Sequence, residues 1–291
     1  MKVGLIDVDG HNYPNLALMK ISAWHKSQGD AVEWWNGLMH YDRVYKAKVF
    51  DETYTKESPW CINADEIISG GTGYGLDNRL PDYIEHICPD YGLYGIKDTA
   101  YGFLTRGCPR GCSFCIVAKK EGRRSVQVAE LDEFWRGQKY IELLDPNLLA
   151  CKDSLKLLKS LEGKRVNFNQ GLDCRVIARE HVEFINKIKL TNIHFAWDHV
   201  KDEKSVIKGL ETYSKYAERK VKGAWGSVYV LTNYGSTIEE DLYRIEKLRS
   251  MNYDPYVMIF DKPNAPREIK RLQRWCNSKW IFKSCKWEEY R

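Results

Sequence analysis

Three thiols stand close together in the stretch Cys108-Pro109-Arg110-Gly111-Cys112-Ser113-Phe114-Cys115, with spacers of three and two residues between them. Cysteines so spaced could form a disulfide, bind zinc, hold an iron-sulfur cluster or stand together by chance. The N-terminal stretch MKVGLIDVDG has one lysine and two early aspartates in place of a signal peptide's apolar region and cleavage site. No apolar run approaches the ~18 residues that span a bilayer, so the protein is expected in the cytoplasm, away from membranes. Thiols are kept reduced there, and nine cysteines, an odd number and mostly scattered, do not make a disulfide framework. A closed zinc site needs a fourth ligand. Cys61, Cys88, Cys151, Cys174, Cys276 and Cys285 supply no second CxxC, and no histidine follows the trio at finger spacing. Three thiolates on a cubane leave one iron open, so Cys108, Cys112 and Cys115 are expected to ligate a 4Fe-4S cluster.

The elements that must position this loop follow from periodicity. An α/β class is expected, with residues 1–98 as a doubly wound, Rossmann-like unit: Lys2 to Val8, Ala31 to Trp35, a run within Tyr41 to Phe50, and Ala64 to Ser69 read as strands. Asn15 to Gln28 and Leu80 to Ile87 read as helices, and the fourth strand stops at the glycine-rich turn Gly70 to Gly75. In residues 99–265 the rhythm is more regular. Strands are expected at Tyr101 to Thr105, Tyr140 to Leu144, Arg165 to Asn169, Asn192 to Trp197, Ser227 to Thr232 and Pro255 to Phe260. Helices are expected at Val128 to Arg136, Asp153 to Leu161, Ile177 to Ile188, Asp202 to Lys220 and Thr237 to Arg249. Six β/α units in succession predict a partial barrel of the TIM type, with functional groups at the carboxyl ends of the strands. The cysteine loop follows the first of these strands, and Gly107, Pro109 and Gly111 suit tight wrapping. Residues 266–291, basic and aromatic, are expected to pack on the barrel as a helix and tail.

Composition fits a soluble globular protein able to bury a core, at 43% hydrophobic and 29% charged residues. A formal net charge of +5 permits a polyanionic partner without demanding one. Trp275, Trp280 and Trp287 alternate with Lys279, Lys283 and Lys286, and Trp24, Trp34 and Trp35 lie near His25 and Lys26. Such faces could stack on bases. Core packing under long cationic side chains is the plainer reading.

The CxxxCxxC pattern, with aromatic Phe114 before its last cysteine and a β/α barrel around it, resembles the radical S-adenosylmethionine (SAM) enzymes over roughly Thr99 to Lys262. The resemblance implies that SAM chelates the open iron and is reductively cleaved to methionine and a 5′-deoxyadenosyl radical. That radical abstracts hydrogen from an unactivated carbon, and the protein orients the substrate. It also implies an external electron donor, such as a flavodoxin or ferredoxin. The family's Gly-Gly-Glu element is replaced here by Leu143-Leu144-Asp145-Pro146-Asn147. Asp145 and Asn147 are the candidates to meet the SAM amine, against a plainer role in capping and turning. Asp198 holds the position at the end of the fourth strand where family members often carry a ribose contact, and Gln170 ends the third strand among Asn169, Asp173 and Arg175. The segment from Cys115 to Ser125 is similar to that of radical methylthiotransferases and offers Arg124 to the SAM carboxylate. Those enzymes carry an N-terminal cysteine triad, which Cys61 and Cys88 cannot supply, and no closing RNA-binding barrel is evident after Phe260.

An α/β unit ahead of such a barrel is similar to the cobalamin-binding radical SAM enzymes. Their Asp-x-His-x-x-Gly loop is matched here by Asp9, Gly10, His11, Asn12, Tyr13 and Pro14, with proline at the last place. Asp9 and His11 also suit a turn and cap before Asn15. The turn Gly70-Gly71-Thr72-Gly73-Tyr74-Gly75 falls where the cobalamin tail enters, without dinucleotide-fingerprint spacing. With the motif only partly kept, cobalamin is a lesser expectation than the cluster and SAM.

Two functions follow, from different classes. One is a radical SAM enzyme acting on a nucleic acid, a peptide or a small molecule. The other is a non-enzymatic iron-sulfur protein with a structural or electron-transfer cluster and a nucleic-acid-binding surface. Barrel chemistry is common to the class, so the substrate is not readable from the motif.

Overall fold

A computed structural model describes residues 1–10, 13–59 and 61–290. The chain runs β1 (Lys2–Asp7), α1 (Leu16–Ser27), β2 (Ala31–Trp34), β3 (Tyr41–Ala47), β4 (Ala64–Gly70) and the single turn α2 (Asp82–Glu85). These strands form one parallel sheet in the order β2-β1-β3-β4. Alternation decides what each face buries. Val3, Leu5, Tyr45 and Ala47 pack under Leu18 and Ile21 of α1 and Ile84 of α2, whereas Ile6, Tyr41 and Val44 face Trp35 and Ile62 in the connecting loops. Helices therefore cover one face. The link from β2 to β3, residues 35–40, is long enough to return along a short strand but too short for a helix. Asn15 caps α1, its side-chain oxygen accepting from the Ala17 and Leu18 N–H groups.

The second sheet begins at β5 (Thr99–Gly102), after which β6 (Thr105–Arg106), α3 (Val117–Lys120) and β7 (Val126–Gln127) form an excursion. There follow β8 (Tyr140–Leu143), α4 (Ser154–Ser160), β9 (Arg165–Phe168), α5 (Arg179–Asn186), β10 (Lys189–Ala196), α6 (Glu203–Tyr216), β11 (Ser227–Thr232), α7 (Ile238–Ser250) and β12 (Asp254–Ile259). Strands β5, β8, β9, β10, β11 and β12 lie side by side in that order, all parallel, with β5 and β12 as the two edges. The sheet is thus an open succession of β/α units. Ile141, Leu143, Val166, Phe168, Ile193, Phe195, Val228 and Val230 turn to the helices and build one core with Val182, Ile185, Val206, Leu210, Ile245 and Leu248. Residues one position out of phase, Tyr101, Glu142, Asn167, His194 and Tyr229, occupy the opposite face.

Two helices, α8 (Arg267–Asn277) and α9 (Lys279–Ser284), close the chain over β12. Asn277 Oδ1 accepts from Val257 N–H at 2.8 Å, so a side chain covers part of the unpaired edge. Trp275 is fully buried there, with Phe282 and Trp287 edge-on to it. Trp280, by contrast, is 89% exposed. The expected helix over Val128 to Arg136 is replaced by a loop, just after β7, and one 3-10 turn at Leu131–Glu133. Phe134 caps the missing side chain of Gly102, where a Cβ would stand 2.3 Å from its ring. That contact, with the β6–β7 pairing just upstream, takes the segment away from helical geometry.

Candidate functional site

The excursion after β5 is a loop on a two-stranded stem. Thr105 pairs with Gln127 and Arg106 with Val126 in antiparallel fashion. Asp145, at the end of β8, is buried, and its carboxylate accepts from Leu104 N–H at 3.2 Å, Thr105 N–H at 2.6 Å and Thr105 Oγ1 at 2.6 Å. Burial pushes its pKa up to about 6 against the pull of these donors. Both oxygens of Asp145 are therefore engaged in fixing the corner that launches the loop.

Within the loop, Gly107 has φ +84° and its Cα lies so close to the Arg124 carbonyl that a Cβ would meet that oxygen at 2.1 Å. Only glycine fits. Cys108 N–H donates to Gly122 O at 3.1 Å, and Glu121 accepts from the Gly107 N–H and from Arg106. Cys115 N–H closes a turn onto Cys112 O at 3.0 Å. All three thiols are free and half-buried. Burial raises the pKa of Cys112 and Cys115, and the neighbouring Cys108 and Asp198 add to it, while Arg175 opposes it at Cys112. Among the described residues no three His, Cys, Asp or Glu side chains converge on a point where one metal ion would sit. A cubane places each thiolate on a different iron and needs them farther apart than the ligands of a single ion.

Around the trio stands a polar network. Asn147 Nδ2 donates to Cys108 Sγ at 3.4 Å and to Asp173 Oδ2 at 3.2 Å. Arg175 Nε donates to Asp173 Oδ1 at 2.6 Å and its Nη1 lies 3.5 Å from Asp202 Oδ2. Arg110, inside the cysteine motif, reaches Asp202 at 3.8 Å. Asp198 is half-buried beside this network, its pKa raised by burial against Arg175 and Arg244. Phe114 stacks edge-on against Tyr234 at 5.5 Å, and Tyr234 Oη donates to Ser113 Oγ at 2.9 Å. Tyr234 lies just past β11 and itself meets Phe260, just past β12, at 4.6 Å. The cysteine loop of the first edge strand thereby docks on the far side of the open sheet. Asn147, Asp198 and Phe114 are gathered at the trio. Gln170 and the Arg124 side chain are exposed.

The face of the sheet below holds residues that the motif reading passed over. Glu142, Asn167, Asn192, His194 and Tyr229 form hydrogen-bonded groups there. Tyr13 of the N-terminal unit reaches them, 3.1 Å from Asn169 Nδ2 and 5.7 Å from the Tyr101 ring. Their signal in the sequence was alternation, with polar residues two apart in strands whose intervening residues are apolar.

In the N-terminal unit the strand order reverses between β1 and β3, the crevice where open α/β sheets bind ligands. Here the protein's own groups meet across it. The Asp9 carboxylate accepts from the Val49 and Phe50 N–H groups, and Lys48, 1% exposed, pairs with Glu52 and Glu57. Tyr74 Oη donates to Glu57 at 2.9 Å. A Cβ at Gly71 or Gly73 would fall 2.3 Å from the carbonyl oxygens of Lys48 and Phe50 respectively, so these glycines serve backbone contact. His11 and Asn12 lie outside the described residues.

No established protein-family profile matches the chain. A CDK5RAP1-like protein of Oryza sativa subsp. japonica is 25% identical over 65% of this chain and 38% of its own length. The chain thus spans well under half of that curated relative. Among solved structures, the radical SAM methyltransferase TsrM from Kitasatospora setae, with cobalamin and a [4Fe-4S] cluster bound, superposes with a TM-score of 0.64 at 12% identity. The match covers 89% of this chain and 74% of that one. The same enzyme with tryptophan substrate and a SAM analogue gives 0.61 at 11% identity, over 89% and 72% of the two chains. At this identity the likeness concerns the fold alone: an α/β unit followed by an open parallel sheet of β/α units.

Proposed function

We propose that the chain is a radical SAM enzyme whose cluster is held by Cys108, Cys112 and Cys115. The observation that carries this is the loop itself: three free thiols on a stem fixed by Asp145, wrapped by glycines that admit no side chain, at the carboxyl end of the first strand of a parallel sheet. The donor set suits iron and sulfide. When bound, a site-differentiated 4Fe-4S cluster with SAM on its open iron supplies reductive cleavage of SAM and, through it, hydrogen abstraction.

This chain's residues have definable parts in that chemistry. Asn147 donates to the Cys108 sulfur and so favours added negative charge on it. Asp198, its carboxylate half-buried next to Cys112 and Cys115, is placed to accept from the SAM ammonium or ribose hydroxyls. Arg175 neutralises the surrounding aspartates. Phe114 and Tyr234 screen one side of the loop. Asp145 acts through the loop and touches no ligand. An electron donor of the flavodoxin or ferredoxin type completes the reaction, and the substrate is modified after hydrogen abstraction. The solved structure that this chain resembles in fold is that of a methyltransferase with cobalamin bound. At the β1–β3 crevice of this chain the described groups Asp9, Lys48 and Glu57 are engaged with the protein's own backbone and side chains, and no step is assigned to a corrinoid.

Anaerobic reconstitution tests the reading. About four irons and four sulfides per chain are expected, with 5′-deoxyadenosine released on adding SAM and dithionite, and both lost in Cys112→Ala. A wild-type cluster that forms and never cleaves SAM would favour the electron-transfer reading instead.

A further inference from the structure

The inner face of the second sheet carries a constellation that the cysteine site does not use. Strand register sets Tyr101, Glu142, Asn167 and Asn192 in one row across β5, β8, β9 and β10. Asn167 Nδ2 donates to Glu142 Oε2 at 2.6 Å. A carboxylate only accepts, so this bond fixes which way the amide faces. Asn167 Oδ1 is left buried with no hydrogen-bond partner. Such an orphan acceptor is uncommon in a folded protein and calls for a donor. Among the described residues no cation pairs with Glu142, whose carboxyl pKa is raised by burial.

His194 brings no positive charge to the row. Asn192 Nδ2 stands 2.9 Å from its Nε2, and its Nδ1 stands 2.9 Å from Tyr229 Oη, which donates onward to Asn169 O at 3.0 Å. Only a neutral ring with its proton on Nδ1 satisfies both neighbours. The cation whose charge reaches Glu142 and His194 is Lys222, exposed in the loop ahead of β11 and hydrogen-bonded to neither. Aromatic rings line the same space: Tyr13 edge-on to Tyr101 at 5.7 Å and Tyr229 edge-on to Tyr256 at 5.9 Å.

Asn167 Oδ1 thus lacks a donor, and among the described residues the Glu142 carboxylate has no bonded cation. The geometry points to a substrate subsite on this face, centred on Glu142 and Asn167, that takes a protonated amine or other nitrogen donor carried on a ring-bearing ligand and turns away phosphate and carboxylate heads. A cation placed between Glu142 and the tyrosine faces replaces the water that the carboxylate lost on folding. An anion in the same place would meet Glu142 with no bonded counter-charge. The word substrate rests on the enzyme reading above; the binding chemistry does not.

The test uses three probes with one ring and three heads, 2-phenylethylamine, 3-phenylpropanamide and 3-phenylpropionate, titrated calorimetrically into the reconstituted protein. The amine is expected to bind at least about tenfold tighter than the carboxylate, with the amide between them. Glu142→Gln keeps the shape and the bond to Asn167. It is expected to weaken the amine about tenfold and to leave the amide within about threefold, while Glu162→Gln on the surface changes nothing. Equal binding of carboxylate and amine, no binding by any probe, or an amine preference that survives in folded Glu142→Gln would overturn the assignment. The wild-type ranking alone decides the matter should that variant fail to fold. Loss of 5′-deoxyadenosine formation with the amine preference intact would sink the enzyme reading and leave the subsite standing.

Discussion

The Asn147 amide donates to both Cys108 Sγ and Asp173 Oδ2, while its oxygen accepts from Ala150 N–H at 3.2 Å. A hydrogen bond onto a cluster sulfur stabilises the reduced state, so on the proposed reading Asn147→Ala lowers the cluster's midpoint potential by on the order of tens of millivolts. An EPR-monitored redox titration reads this directly, and an unchanged potential would detach Asn147 from the cluster. His194 supports a second prediction, about stability. Burial lowers its pKa to about 4, from about 6.5 when unfolded. Below about 6.5 the unfolded chain takes up a proton that the folded ring declines, so stability is complete above that pH and is lost as pH falls toward 4, by up to roughly 3 kcal/mol. Urea midpoints at pH 7.5 and 5 should diverge more in the native protein than in His194→Gln; equal slopes would contradict the neutral, doubly bonded ring. The cysteine trio was visible in the sequence because its spacing marks it out, and the structure keeps the three free thiols in one loop. Glu142, Asn167 and His194 were not visible, because no motif marks them: they are single polar positions in apolar strands, and their meaning depends on which strands the fold sets side by side.

At the scale of elements, helix α6 shows how closely the site is packed from behind. Gly209, in the middle of that helix, lies so near the turn after β9 that a Cβ would stand 1.9 Å from the Cys174 carbonyl oxygen. That turn carries Asp173 and Arg175. In an exposed helix interior, Gly→Ala gains up to about 1 kcal/mol. Here the sign reverses: Gly209→Ala must push α6 off the turn, and a loss of about 2 kcal/mol or more is expected in urea unfolding. A stabilised variant would show that the contact is looser than described. Elements with long regular patterns, such as α7 with its Thr237–Glu240 capping box, stand where periodicity puts them. The segment over Val128 to Arg136 does not, although Leu131, Phe134 and Trp135 have helical spacing. Its Phe134 answers a glycine thirty-odd residues earlier in the chain, and Trp135 Nε1 bonds Gln138 O at 2.9 Å. A local pattern cannot report that long-range contact.

For the whole molecule, a few polar contacts tie the first large sheet to the second. Glu85, at the end of α2, accepts from Lys20 Nζ at 2.9 Å and from Arg106 Nη2 at 3.2 Å. Lys20 belongs to the first unit and Arg106 to the stem of the cysteine loop. Burial raises the Glu85 pKa, but the two cations outweigh it and hold the carboxyl below its ordinary value. Nearby, Lys120 Nζ donates to Thr72 Oγ1 at 2.6 Å, joining the helix behind the cysteines to the glycine-rich turn. Removing the carboxylate does more than delete two bonds, because Lys20 then faces Arg106 across the junction with no carboxylate of its own, while Arg106 keeps only Glu121. Glu85→Ala is expected to cost about 1–3 kcal/mol, less than a fully buried pair since these groups keep some contact with water. The cost should fall on coupling between the units. Native protein should unfold in one transition by tryptophan fluorescence and circular dichroism, and the variant in two, with the N-terminal sheet melting first. Adding Lys20→Met removes one of the facing cations and should draw the two transitions together again. A single coincident transition in Glu85→Ala would mean that the units are held by their apolar contacts alone, and that the cysteine loop takes its position from the second sheet without help from the first.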